Sequence, residues 1–503
     1  MKLKPILAFA ACLSVLPAAP SLAGKADDTL NVGFRLQLQG LDAYYAPGRE
    51  GLLLSFWAYD ALVYRDPKTL EFKPLLSTAW RQVDDRTLEF DIRQGVKFHD
   101  GTVLTADDVT YTINFAVRPE SKVFNQFFIA WIEGAKTVGP NKVQIRSKAV
   151  APMALQYLTG LPIYPAKYYE QVGKEGMQAK PVGTGPYIAR PLSNNSFEFK
   201  RNPDYFADSP KGKPPIDRMV YKTIPDVSTQ VAELLTGGLD WAYHVPNDQA
   251  EQLKTNPKLK VVGGESYRVA YLTLDAAGKS NPNTPMKDVR VRRAISHAID
   301  RDAIAKNLVG EASRVIHSAC YPKQFGCTED VPRYAYDPAK AKALLAEAGF
   351  ADGFTVEMFG YRSRQVAEAI IGNLRSVGIR GNLNWLQYPA VVEKRRSNQA
   401  GMIVDDWGSA SFNDVAAIIP VFFNSGVDDY AMDAELSKWV ETGGTSIDPK
   451  LREEVYTKAL KRIAEQAYWV PLHTMPINYV FSADLDLAVP SDEIPEFFRA
   501  RWK

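Results

Sequence analysis

Strand-like and helical segments alternate along this chain, which predicts an α/β fold. Short stretches with β-branched or alternating apolar residues recur at 29–34, 87–92, 142–146, 196–200, 219–224 and 267–274. Among them stand segments with helical apolar spacing and helix start and stop signals. In chain order the first of these follows Thr105. Thr105 and Asp108 have capping-box spacing, with Asp in place of the usual Glu. Residues 288–308 carry apolar side chains at Val289, Val291, Ala294, Ile295, Ala298, Ile299, Ile304 and Leu308, which predicts one long helix closed by Gly310. The next helix, 337–349, has Asp337 as cap, Pro338 at its first position and Gly349 at its end. A further amphipathic helix is predicted over 450–465.

The N-terminus reads as an export signal. Lys2 and Lys4 precede an almost wholly apolar run from Pro5 to Pro20, and Ser21-Leu22-Ala23 offers small residues for cleavage after Ala23. Ala10-Ala11-Cys12 resembles part of a lipobox, but Phe9 stands where leucine is usual. The run is short for a permanent membrane span. Residues 1–23 are therefore expected to leave, and the remainder to be soluble and periplasmic. The full chain of 503 residues has a formal charge of +2, and the signal carries two lysines and no acid. The mature chain is thus near neutral, which argues against nucleic acid or an anionic membrane as its partner. Of three cysteines, Cys12 leaves with the signal. Cys320 and Cys327 enclose Tyr-Pro-Lys-Gln-Phe-Gly, and in an oxidising compartment a local disulfide is expected, the alternative being two free thiols.

Several blocks in fixed order resemble one family. They are Phe98-His99-Asp100-Gly101-Thr102 with Ala106-Asp107-Asp108-Val109, Pro74-Leu75-Leu76 leading to Trp80, and Gly183-Thr184-Gly185-Pro186-Tyr187. Arg201-Asn202-Pro203-Asp204-Tyr205 follows, and then Asp288-Val289-Arg290-Val291-Arg292-Arg293-Ala294 with Ala298-Ile299-Asp300-Arg301. Together they resemble the extracytoplasmic solute-binding proteins of family 5, the peptide, opine and nickel receptors of ABC importers. The resemblance implies a periplasmic-binding-protein-like two-lobed fold with an additional inserted subdomain. By analogy, lobe 1 gathers 24–55, 184–266 and 475–503, the insert covers 56–183, and lobe 2 runs 267–474. A solute touching both lobes would stabilise the closed state, which a permease in the inner membrane reads.

The resemblance also points to site residues. In this family the loop after the first strand faces the cleft, which here brings Tyr44, Tyr45, Arg49 and Glu50; the alternative is an exposed loop with an Arg–Glu surface pair. The segment from Asp405 to Asp414 resembles the family's W-G-x-D-Y-x-D-P cleft segment. Dipeptide-binding members place there an Asp that pairs with the α-ammonium. Aligned on Trp407-Gly408, that position is Ala410, so the charge-assisted partner is missing. Ser409, Ser411 and Asn413 suit a polyhydroxylated or amide-rich solute, or else form a polar loop capping a helix at Asp414. Trp385 and Tyr388 either stack on the ligand or form a core edge. Tyr271 either reaches the cleft or packs in the core. Arg395-Arg396 reads as a solvated helix face rather than an anion site.

The residues argue against an enzyme. None of the five histidines, His99, His244, His297, His317 and His473, stands in a metal-binding pair. His99, within its turn, is expected to make a structural hydrogen bond. There is no Gly-x-Ser-x-Gly elbow, and Gly183-x-Gly185 lacks the Lys-Ser/Thr of a phosphate loop. The adjacent acids Asp405 and Asp406 are expected to point apart. No cofactor is expected, and the protein is read as a monomeric receptor for an opine-like or other amino-acid-derived compound or a short peptide. A chaperone or sensory receptor on the same fold is the alternative.

Overall fold

Three sheets organise the chain. The computed structural model describes residues 24–38, 40–46, 48–123, 126–310 and 312–503; the expected signal, 1–23, lies outside the described residues. The first sheet has seven strands, in the order Leu259–Gly264, Ile477–Ser482, Trp241–Tyr243, Thr29–Phe34, Arg218–Thr223, Ser196–Arg201 and Tyr187–Ser193. Thr29–Phe34 is buried along its whole length and runs parallel to both neighbours. The second sheet has five strands, ordered Ile379–Trp385, Phe354–Gly360, Met402–Trp407, Val269–Leu274 and Trp469–Thr474. Its first three strands are mutually parallel. The third sheet is antiparallel, with Ser77–Asp84, Thr87–Ile92, Lys142–Ser147 and Ile132–Gly139. It shares one hydrophobic cluster with the first sheet, whereas the second sheet packs around clusters of its own. The α/β class and the two-lobed architecture with an extra subdomain are therefore present.

The chain crosses between the two large sheets twice, from Gly264 to Val269 and from Thr474 to Ile477. These connectors lie side by side. The Met475 N–H donates to the Arg268 carbonyl at 3.0 Å, and the Ser266 hydroxyl to the Met475 carbonyl at 2.6 Å.

Local signals explain most elements. The helix Ala106–Ala116 starts on the reciprocal Thr105–Asp108 box. Pro338–Glu347 starts on Asp337, whose side chain accepts from the Lys340 N–H at 2.9 Å. Pro449–Glu465 occupies the stretch expected over 450–465. The long helix expected over 288–308 is broken. Val289–Ala298 ends at an extended Ile299, and Asp300 caps a new turn, Arg301–Ile304, through the Ala303 N–H at 2.9 Å. An aspartate in mid-pattern prefers capping to continuing a helix. The apolar period runs unbroken through this change.

Several of the family-resembling blocks meet in one knot. The His99 N–H donates to the Gly183 carbonyl at 2.8 Å, and His99 Nε2 lies 3.0 Å from the Gly185 carbonyl. Gly185 sits so close to Ala58 and Tyr59 that a Cβ would lie 2.4 Å from Ala58 backbone. Beneath them Asp60 accepts from Lys211 Nζ at 2.6 Å, Thr184 at 3.2 Å and Tyr205 at 3.2 Å. Asn202 donates to the Gly185 carbonyl at 3.1 Å. His99 thus makes structural bonds, as expected.

Cys320 and Cys327 form the expected disulfide, with Cα atoms 5.9 Å apart. Closing so short a loop stabilises by about 2 kcal/mol in the chain-entropy account. Thermal unfolding with and without dithiothreitol is expected to show a lower melting point on reduction; equal melting points would show that the bond adds nothing.

Candidate functional site

In α/β sheets, the crevice at the carboxyl ends of the strands is where ligands bind. Here the parallel strands of the second sheet end at Tyr361-Arg362, Trp385 and Asp405-Asp406-Trp407, while the first sheet's Trp241–Tyr243 ends at His244. Side chains from these ends, with Arg49, Arg268 and Glu493, form a charged ladder between the sheets, buried except at Arg362. Arg49, in the first turn of the helix Gly48–Trp57, reaches Glu493 at 3.4 Å. Its Nη1 also donates to the Asp492 and Glu493 carbonyls, at 3.0 and 3.2 Å, and to Ser411 Oγ at 3.0 Å. Glu493 lies 3.6 Å from Arg268 Nε and 3.7 Å from His244 Nε2. Arg268 donates to Asp406 at 2.5 Å, and the other Asp406 oxygen pairs with Arg362 at 2.5 Å.

The electrostatics follow from burial and pairing. Burial alone would raise the Glu493 carboxyl, but the Arg49 and Arg268 guanidiniums outweigh it and hold it below the usual range. Burial pushes His244 down to about 4, leaving a neutral ring at pH 7. In ion pairs within 4 Å, three guanidiniums, those of Arg49, Arg268 and Arg362, meet two carboxylates, Glu493 and Asp406, while the buried carboxyls of Glu50 and Asp492 also lie in the field of Arg49. Arg362 is the exposed end, with 44% of its side chain open to solvent. Gly408 makes the ladder possible, because a Cβ there would stand 2.9 Å from Arg268 Nη2.

Asp405 and Asp406 take different cations but do not point wholly apart, since one hydroxyl reaches both. Asp405 bonds to Arg395 at 2.7 Å, away from Arg268 and Arg362, and Tyr361 OH spans the pair, at 2.8 Å from Asp405 and 3.3 Å from Asp406. Arg395 is no solvated residue: it is 4% exposed and also bonds Asp428 at 2.9 Å. Only Arg396 is on the exposed face. A basic pair on a helix reads as surface until the tertiary partner of one member is known.

The sequence-derived site residues separate into groups. Arg49 and Ser411 meet in the ladder. Glu50 does not pair with Arg49; it is buried beside Tyr243, and burial raises its pKa. Tyr44 and Tyr45 turn toward the third sheet's side. Tyr44 OH donates to the Pro162 carbonyl at 2.7 Å, and Tyr45 OH to the Ser121 carbonyl at 2.5 Å. Between these neighbours Asp42 accepts from Tyr164 and Tyr169, and burial pushes it up to about 6. Tyr271 lies in the core, stacked on Trp469 with centroids 3.6 Å apart. Trp385 packs half-buried at the edge of the second sheet's cluster. Tyr388 is exposed and tilts against Tyr361 at 4.9 Å.

Trp407 anchors its segment. Its Nε1 donates to the Ala417 carbonyl at 2.7 Å, and its ring stands edge-on to Phe422. The following turn is tight, with Ser409 and Ser411 at φ +50° and +69°. Ser409 Oγ and Asn413 Oδ1 are buried without a hydrogen-bond partner. Asp414 both caps the next turn through the Ala416 N–H and binds Arg452 at 2.9 Å. Phe412 crosses to the third sheet's side, meeting the rings of Phe128 and Tyr157. Sequence reasoning passed over Arg268, Tyr361, Arg362, His244 and Glu493. A signal existed for three of them: Tyr361, Arg362 and His244 directly follow strand ends. Glu493 had none, since it comes from a C-terminal turn far away in sequence.

Two sheets joined by paired connectors, with charged groups of both meeting between them, define a two-lobed solute-binding protein. Residues 71–429 match the family described as bacterial extracellular solute-binding proteins, family 5 Middle, and the chain belongs to that family. Its task is binding, not catalysis. The glutathione-binding protein GsiB of Salmonella typhi is 26% identical over 490 residues, covering 93% of this chain and 92% of that protein. The dipeptide-binding protein of Escherichia coli (strain K12) is 26% identical over 455 residues, covering 81% and 82%. Among solved structures, HbpA2 from Haemophilus parasuis superposes with a TM-score of 0.83 at 22% identity, covering 94% of this chain and 100% of that one. Among the described residues no helix is long and apolar enough to cross a membrane, and no group of three or more His, Cys, Asp or Glu is placed to hold a metal ion.

Proposed function

We propose that this protein is the periplasmic receptor of an ABC importer, and that its solute is a small polar amino-acid-derived compound, opine-like or a short peptide. The observation that carries the ligand class is the ladder. Three guanidiniums pair with two carboxylates there, and the surplus cation of those pairs, Arg362, is the member open to solvent. A solute carboxylate completes the set with a charge-assisted, two-pronged bond. Ser409 and Asn413 add unspent polar atoms in the turn whose Ser411 bonds Arg49. The sheet membership supports lobes of 24–55, 184–266 and 475–503 on one side and 267–474 on the other, with 56–183 inserted. The connectors at 264–269 and 474–477 are the hinge in this reading. The names of the relatives at 26% identity, glutathione and dipeptide receptors, agree with an amino-acid-derived solute.

A thermal-shift screen tests this. Opine-like conjugates, sugar acids, dipeptides, glutathione and nickel chelates are compared at equal concentration. One opine-like or peptide ligand is expected to raise the melting point well above the rest. Strong stabilisation by many unrelated dipeptides, or by the nickel chelates alone, would contradict the ligand class. Trp407→Ala is expected to weaken binding of that ligand at least tenfold, because Trp407 holds the Gly408–Ala417 segment in place. Unchanged affinity by calorimetry would remove this segment from the site.

A further inference from the structure

A cavity of about 210 Å³ opens beside the ladder, next to the connectors. His244, Asn247 and Asn478 line it from the first lobe, and Ser363, Val366 and His473 from the second. The register of the second sheet explains the placement. Ala270 pairs with Asp406 on one side and His473 on the other. Three side chains thus stand in a row on one face, and the middle one is only a methyl group. The cavity is therefore next to the Arg362–Asp406 pair, and His244 borders both.

Most polar groups here are already used. Asn478 Nδ2 donates to Asn247 Oδ1 at 2.6 Å and to the Val245 carbonyl at 3.0 Å, and Asn247 donates to the Val309 carbonyl. Two groups are not. His473 Nδ1 lies 3.0 Å from the Thr474 carbonyl, which can only accept, so Nδ1 carries the proton and Nε2 keeps a lone pair. That Nε2 has no partner and is itself closed to a water-sized group, His473 being 2% exposed, so a donor in the cavity reaches it only once the ring turns outward. Burial pushes the ring's pKa down, so the lone pair persists at pH 7. Ser363 stands at the N-cap of the helix Arg364–Ser376 but makes no capping bond. Its hydroxyl is unspent, as are the first N–H groups of the helix that its side chain would otherwise cap. A buried acceptor without a donor is costly unless a ligand or water supplies one. The volume has room for about seven water-sized groups.

We infer that this cavity is a second compartment of the solute site, taking a neutral group that donates to His473 and accepts from Ser363, a hydroxyl or a carboxamide. The inference rests on the proposed reading, in which the solute's charged part is held at the ladder. It makes the two ends of the solute chemically different: a carboxylate toward Arg362, and a polyol or amide tail toward the connectors.

Calorimetry on the mature protein tests it with two long probes and their truncated counterparts. The long probes are glutamate carrying a six-carbon polyol on its nitrogen, and alanyl-glutamine. The truncated ones are glutamate and alanyl-alanine. His473→Leu is expected to cost at least tenfold in affinity for whichever long probe binds, and nothing for its counterpart. His473→Gln keeps an acceptor and restores most of the loss. The long probe that responds tells hydroxyl from carboxamide. Equal losses on long and truncated probes, or no loss, would overturn the inference. Should His473→Leu fail to fold, Ser363→Ala, at a half-buried position without a capping bond, is expected to give the same selective loss at smaller size. If the wild type binds none of the four, the ligand class proposed above falls. The cavity is then judged by ¹⁵N NMR of the unliganded protein: a lone pair on His473 Nε2 supports it, and a proton there overturns it.

Discussion

Replacing Lys211 with methionine is expected to lower the unfolding free energy by about 3–5 kcal/mol, the loss typical of a broken buried ion pair. Lys211 and Asp60 are 2% and 0% exposed. Lys211 Nζ donates to Asp60 at 2.6 Å and to the Phe56 and Tyr59 carbonyls at 2.8 and 3.1 Å. Methionine fills much of the space but leaves two carbonyls without this donor and the Asp60 carboxylate with only the Thr184 and Tyr205 hydroxyls. Burial already pushes the Asp60 carboxyl up, with Lys211 as the main opposing influence. The variant's Asp60 therefore protonates more readily, which limits the loss. Urea unfolding measures the effect. A loss below about 1 kcal/mol would mean that water replaces the ammonium and that the knot is not sealed. The double variant Lys211→Met/Asp60→Asn is expected to recover part of the loss, because it removes the stranded charge.

The second large effect is expected at Arg268. Arg268→Met removes the guanidinium that joins Glu493 to Asp406 and leaves two buried carboxylates short of a cation. About 3 kcal/mol of stability is expected to be lost, and solute affinity at least tenfold, since the ladder loses its link between the lobes. Restoring charge balance with Glu493→Gln in the same chain is expected to return stability but not affinity. That split separates a structural role from a binding role. If the double variant regains both, the ladder supports the fold and takes no part in holding the solute. If it regains neither, Arg268 acts through packing rather than charge.

These two experiments address different parts of the molecule, and the sequence spoke of them unequally. The family-resembling blocks around His99, Thr184, Asn202 and Tyr205 are the most legible features of the chain. The structure makes them scaffold: they converge on Asp60 and Lys211, at the far end of the helix whose first turn carries Arg49. Their spacing is local, and turns, caps and glycine-dependent approaches are decided by a few neighbouring residues. That is why the caps at Thr105 and Asp337 were readable directly. The disulfide followed from cysteine spacing and compartment. The break at Asp300 was missed because the apolar period continues through it while the capping carboxylate acts over a single turn.

The site was legible only in part. Arg49 and Ser411 were named from their segments, but what joins them is 362 residues of separation closed by folding. Tyr44 and Tyr271 are aromatic residues near the right elements whose rings turn into the core. No periodicity shows which face of an irregular loop meets solvent.

By itself, the sequence determined the α/β class, the caps, the cysteine bridge and the family to which the order of blocks belongs. Each of these depends on residues close together or on their order along the chain. Only the tertiary structure decided that Glu493 sits between Arg49 and Arg268, that Arg395 points inward, and that His473 keeps an unused lone pair. Those outcomes depend on groups, from 10 residues apart for Arg395 and Asp405 to 444 apart for Arg49 and Glu493, sharing low-dielectric space, where pairing is settled by three-dimensional distance and the cost of burying charge.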